Sequence, residues 1–115
     1  MTDLDQLRNH LRDFAAARDW DQFHSPKNIA MALSVEAAEL LEIFQWLTEE
    51  QSRALSAEAK AAASDEIADV LLYLIRIADK LDIDPIAAAN RKLATNERKY
   101  PADKSRGNNK KYTEL

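Results

Sequence analysis

Glu66-Ile67-Ala68-Asp69-Val70-Leu71-Leu72-Tyr73-Leu74-Ile75 is the stretch that decides how this chain folds. Two carboxylates three residues apart head an apolar run that contains neither Gly nor Pro. On a helix, positions i and i+3 are neighbours on one face. Glu66 and Asp69 therefore form a two-pronged acidic claw on a rod that is otherwise apolar. A second claw, Glu36-Ala37-Ala38-Glu39, lies between Ile29-Ala30-Met31-Ala32-Leu33 and Leu40-Leu41. Carboxylates on core-facing helices are costly unless a cation or a metal compensates them. If the two rods pack together, Glu36, Glu39, Glu66 and Asp69 meet in a cage of hard oxygen donors suited to Mg2+ or Mn2+.

The rest of the composition agrees with helices. The chain has 115 residues, enough for one domain with a modest core, and its hydrophobic fraction is 46% with one Gly and three Pro. Few breakers and abundant Ala, Leu, Glu and Lys predict an all-α fold, here a four-helix bundle. There is no Cys, which excludes disulfides and thiolate zinc sites and fits a cytoplasmic protein. The start is acidic and amphipathic, unlike a signal peptide. The most apolar run, Ile67 to Ile83, carries Asp69, Arg76, Asp79, Lys80 and Asp82, so it reads as a buried helix and not a membrane span.

Start and stop signals divide the chain. Asp3 is placed to cap a first helix running to about Arg18, with Leu4, Leu7, Leu11 and Phe14 at helical period. Asp19 to His24 breaks that period. Ser25-Pro26 starts a second helix expected to reach Leu47. Thr48-Glu49-Glu50-Gln51 is a capping box for a short turn. Ser56 caps a third helix from about Ala57 to Leu81, whose Ala- and charge-rich first part is expected to bend or fray. Asp84-Pro85 starts a fourth, which ends near Lys99 before Tyr100-Pro101. Residues 1–100 are expected to form the helical domain and 101–115 an irregular basic tail. The third helix is apolar on more than one side: Leu71, Leu74, Ile75 and Ala78 make one stripe, and Val70, Ile77 and Leu81 another. So small a chain with such a helix is expected to be a homo-oligomer.

Polar residues follow the claws at helical spacing. Tyr73 and Arg76 share the face of Glu66 and Asp69. Trp46, seven residues past Glu39, would lie about 10 Å along the same helix. That separation suits a nucleotide with its phosphates at the metal, its sugar near Tyr73 and its base at the indole. Lys92, Asn96 and Lys99 follow i, i+4, i+7 on the fourth helix and present cationic and amide groups on one side. His24, beside Trp20 and Phe23, is expected to pack or cap, with a ligand contact open to it. The net charge of −4 is unevenly spread: Arg91, Lys92, Arg98, Lys99, Lys104, Arg106, Lys110 and Lys111 crowd the C-terminal part, where the bland reading is a solvated tail. No Glu-x-x-His pair of the di-iron bundles, no nucleophile constellation and no phosphate-cradling Gly loop is present.

Taken together, these residues resemble the all-α NTP pyrophosphatase (MazG-like) superfamily, whose signature is Glu-x-x-Glu on one helix and Glu-x-x-Asp on a later one. The similarity is closest to the dCTP pyrophosphatase-like branch. It runs through Arg18 to His24 with Pro26 and Asn28, Phe44-Gln45-Trp46, Asp69-Val70-Leu71 with Tyr73-Leu74, Asn96 with Tyr100-Pro101, and Lys111 to Leu115. The resemblance implies Mg2+-dependent hydrolysis of a (deoxy)nucleoside triphosphate, dCTP or a modified dCTP, to the monophosphate and pyrophosphate in the service of nucleotide-pool house-cleaning. By the same resemblance Glu36, Glu39, Glu66 and Asp69 hold the metal, with Glu36 or Glu39 as candidate base. Trp20 and Trp46 line the base pocket, Tyr73 and Asn96 contact sugar or phosphates, and Lys92, Lys99 and Lys111 neutralise charge. Relatives assemble as homodimers or homotetramers. Some dCTP-preferring relatives carry a His in the first helix near the base. The matching position here is Leu11, and His10 beside it points about 100° away. The competing readings are a non-catalytic helical adaptor with structural acidic clusters and the same chemistry on dUTP or other non-standard nucleotides. Neither a nucleic-acid polymer nor a membrane is an expected partner.

Overall fold

The computed structural model describes residues 3–114, and every regular element among them is helical. They fall into two compact units, Met1–Asp82 and Ile83–Leu115.

In the first unit, α1 (Leu4–Ala17) starts on a capping box: the Asp3 carboxylate accepts from the Gln6 amide at 2.9 Å, and the Gln6 side chain accepts from the Asp3 amide. It stops where Asp19 turns to φ 53°. The Trp20 amide then donates back to the Ala15 carbonyl at 2.9 Å and the Asp19 amide to Ala16 at 3.1 Å, the paired bonds that satisfy orphan carbonyls at a helix end. A single 3-10 turn, Asp21–Phe23, leads to α2 (Pro26–Phe44), which is capped by Ser25. The one-turn α3 (Glu49–Ser52) follows with the expected Thr48–Gln51 box, and α4 (Ala57–Lys80) begins at Ser56.

Two expectations are corrected here. The second helix ends at Phe44 and not at Leu47, because the chain must leave the helix to place Thr48 as the next cap; the Leu47 amide closes a tight turn on the Phe44 carbonyl. Trp46 thus stands in a turn and not two helical turns beyond Glu39. The first part of α4 does not fray: the helix runs unbroken from Ala57 to Lys80, since its Ala residues are the best helix formers and Ser56 secures the first turn.

The most extensive helix pairing in this unit is α2 against α4, with α1 laid on α4. The buried apolar side chains among the described residues are few: Ala15, Ile29, Ala63, Ile75 and Ala78. Many larger ones are exposed, among them Met31 and Val35 on α2 and Ile67, Leu71 and Leu74 on α4. No described helix is long and apolar enough to cross a membrane.

In the second unit, α5 (Pro85–Lys99) starts where the Asp84 carboxylate accepts from the Ile86 and Ala87 amides. The expected irregular tail contains a one-turn helix, α6 (Ala102–Ser105), and a 3-10 turn at Tyr112–Glu114. Tyr112 meets Tyr100 edge-on at 6.1 Å between ring centres and lies under the Lys99 ammonium at 4.7 Å, so an aromatic cluster orders a stretch whose composition is polar.

Candidate metal centre and adjoining cavity

The packing of α2 on α4 turns two sequence motifs into one site. Glu36 and Glu39 from α2 and Glu66 from α4 each offer a carboxylate oxygen, and these oxygens lie within 4.8 Å of one another. The side chains are half-buried. One oxygen of Glu36 and one of Glu66 are buried with no hydrogen-bond partner. An anionic oxygen removed from water and left without a donor is unfavourable by itself. The titration behaviour has the same origin. Glu39 beside it, then burial and Glu66, push the Glu36 carboxyl up to about 7. Burial, reinforced by Glu39 and Asp69, raises Glu66. Crowded oxygens with open lone pairs are the donor set of a hard divalent cation.

Asp69, the fourth carboxylate of the claws, is not within that close group. It faces a neighbouring cavity of about 240 Å³ between α1, α4 and the link that joins α1 to α2. Asp69 is still near enough for its charge to raise both Glu36 and Glu66. The centre and the cavity are therefore adjoining parts of one region, joined at Asp69.

The cavity has an apolar wall from Leu11, Phe14 and Ala15 of α1 and Leu72 of α4. Trp20 and Tyr73 add aromatic surface, and the Trp20 ring is held edge-on against Phe14 at 5.5 Å. Its polar groups are Asp69, His24 and Arg76. The volume is below the range for drug-sized ligands and suits one ring of a larger molecule.

Sequence-predicted residues divide clearly. Trp20, His24 and Tyr73 line the cavity beside Asp69, and Leu11 stands in its wall while His10 is exposed. Trp46 does not line it and is 87% exposed in the turn after α2. Lys92, Asn96 and Lys99 keep their helical spacing on α5 of the second unit, and Lys111 is exposed there.

The sequence puts Arg76 on the face of Glu66 and Asp69 but assigns no role to it or to Asp21. Arg76 is only 5% exposed and pairs with Asp21 across 55 positions of sequence. Lys80 joins Asp21 at 3.0 Å. Asp79 lies 3.9 Å from Arg76 and is gripped by Arg12 at 2.7 Å. Lys80 and Arg76 hold the Asp21 carboxyl below its ordinary range, and Arg12 does the same for Asp79. A charged residue in the middle of an apolar helix was the available signal; its partner lay too far along the chain to be read.

Comparison with known proteins gives the family. Residues 31–115 match the family described as MazG-like. The chain is similar to dCTP pyrophosphatase 1 of Bos taurus, 42% identical over 114 residues that cover 97% of this chain and 68% of the relative. It is also similar to dCTP pyrophosphatase 1 of Homo sapiens, 41% identical, covering 97% of this chain and 67% of the relative. Among solved structures it resembles a pyrophosphatase from Archaeoglobus fulgidus with a TM-score of 0.82 and 43% identity, covering 88% of this chain and 94% of that one.

Proposed function

The chain belongs to the MazG-like family and is a nucleoside triphosphate pyrophosphatase, and from that premise we propose that it converts dCTP, or a modified dCTP, to the monophosphate and pyrophosphate with Mg2+. The observation that carries this reading is the pair of buried, partnerless oxygens on Glu36 and Glu66 in a three-carboxylate group beside an aromatic-lined cavity. That arrangement is wasteful in a structural adaptor and useful in a metal-dependent hydrolase.

Glu36, Glu39 and Glu66 would hold the metal, and Asp69 at the cavity edge would complete the set. Mg2+ bound there supplies charge screening for the triphosphate and lowers the pKa of an attacking water. The chain's own residues do the rest. A carboxylate oxygen of Glu36 or Glu39 left free of the metal would take the proton from the water. Trp20 and Tyr73 give the base and sugar flat apolar surfaces that exclude water. Trp46, fully presented to solvent, is available to a base bound against a second copy. Lys92, Asn96, Lys99 and Lys111 carry the cationic and amide groups that a triphosphate requires. The exposed apolar faces of α2 and α4 support assembly as a homodimer or homotetramer, and nucleotide clearance is a cytoplasmic task.

The test is a panel of deoxy- and ribonucleoside triphosphates assayed for pyrophosphate release with Mg2+. Release is expected to be fastest from dCTP or its modified forms. A maximum at dUTP would move the substrate and keep the reaction, and no release from any of them would end the enzyme reading.

A further inference from the structure

Arg76 does more than fill a polar gap in α4. Its Nε–H donates to Nδ1 of His24 at 3.2 Å, while another guanidinium nitrogen grips Asp21 on the same short link. An Nδ1 that accepts from a guanidinium carries no proton, because guanidinium is only a donor. The proton of the neutral ring must then sit on Nε2. Burial and the adjoining Arg76 charge lower the pKa of His24, opposed only by Asp21, so the ring stays neutral. Both His24 and Arg76 line the cavity, and Nε2 has no protein partner among the described residues.

We propose that Arg76 is a positioning residue that locks His24 as the Nε2–H tautomer, so that the cavity offers a hydrogen-bond donor to an acceptor-bearing base edge. The inference rests on the proposed triphosphate chemistry and adds the source of base choice. O2 accepts in every pyrimidine, but N3 of cytosine is an acceptor where uracil and thymine carry N–H, so the donor selects the base where it meets N3. A donor fixed by a buried guanidinium pairs with that acceptor and opposes that N–H. A site built to hydrogen-bond its substrate discriminates strongly because the unmatched partner is left unpaired in a dry place.

The tautomer is directly observable. The chain has two histidines, so a long-range proton–nitrogen spectrum of the 15N-histidine-labelled protein, with His10→Gln for assignment, reads the ring at neutral pH. The Nε2–H pattern is expected in the wild type and a mixture of tautomers in Arg76→Met. That substitution leaves Asp21 with Lys80 and Asp79 with Arg12, so no carboxylate is stranded. The ratio of kcat/KM for dCTP over dUTP is expected to fall about tenfold in Arg76→Met and in His24→Phe, chiefly through KM. An Nδ1–H wild type, or an Arg76→Met spectrum unchanged from wild type, would overturn the assignment. An unchanged base ratio in folded His24→Phe would overturn the selection role, and that arm stands even if Arg76→Met does not fold. A wild type inert toward every triphosphate but still Nε2–H would instead remove the activity and leave the Arg76–His24 coupling in place.

Discussion

The Glu36 carboxyl at about 7, against an ordinary 4.5, ties the proposed metal centre to two pH effects. A carboxyl whose folded pKa is raised binds its proton more tightly in the folded state. Its contribution favours folding below 4.5 and is lost as pH climbs through about 7. Glu66 shifts the same way. The metal-free protein is therefore expected to melt at a lower temperature at pH 8 than at pH 5.5, with millimolar Mg2+ restoring much of the difference at pH 8 by mass action. Melting curves at both pH values with and without Mg2+ check this; equal responses to Mg2+ at the two pH values would detach these carboxyls from the metal. Protons compete with the ion for the same oxygens, so its apparent affinity should rise between pH 6 and 8. Glu39→Gln and Asp69→Asn are expected to lower pyrophosphate release by about 100-fold or more with the helical circular dichroism unchanged. Wild-type rates in either variant would remove that residue from the chemistry.

At the scale of the element, the caps show how the sequence specifies this fold. Asp3, Ser25, Thr48, Ser56 and Asp84 each accept from backbone amides in the first turn that follows. A hydroxyl or carboxylate just ahead of a helical run is a local signal, so the starts were legible. The ends were less so. With one Gly in the chain, α1 and α4 stop on Asp19 at φ 53° and Asp82 at φ 55°, left-handed positions that a sequence usually marks with Gly. The end of α2 was missed because Trp46 and Leu47 continue an acceptable helical pattern. The claws were readable because i, i+3 spacing is local; the Arg76–Asp21 and Arg76–His24 contacts were not, because only tertiary packing brings those residues together. Asp82→Gly removes the strain of an L-residue at positive φ and is expected to stabilise the protein by about 0.5–1 kcal/mol in chemical denaturation. Ile29, 1% exposed, is the largest fully buried side chain. Ile29→Ala should cost about 2–4 kcal/mol.

The molecule as a whole buries little for its size. Among the described residues five buried apolar side chains, three of them Ala, form the core, while Ile67, Leu71 and Leu74 lie exposed along one stripe of α4. That stripe falls on the other side of the helix from Glu66, Asp69 and Tyr73, so self-association through it would leave the acidic face in place. Leu71→Glu is expected to lower the mass seen by light scattering on a sizing column; an unchanged mass would place the contact elsewhere. The central claim is that α2 and α4 together trap one kind of ion. Its most direct test is calorimetric titration of the nucleotide-free chain with Mn2+, beside a folded Glu36→Gln/Glu66→Gln double variant. Saturable binding in the wild type and its loss in the double variant are predicted; equal binding in both, or none in the wild type, would contradict the metal centre and the hydrolysis built on it.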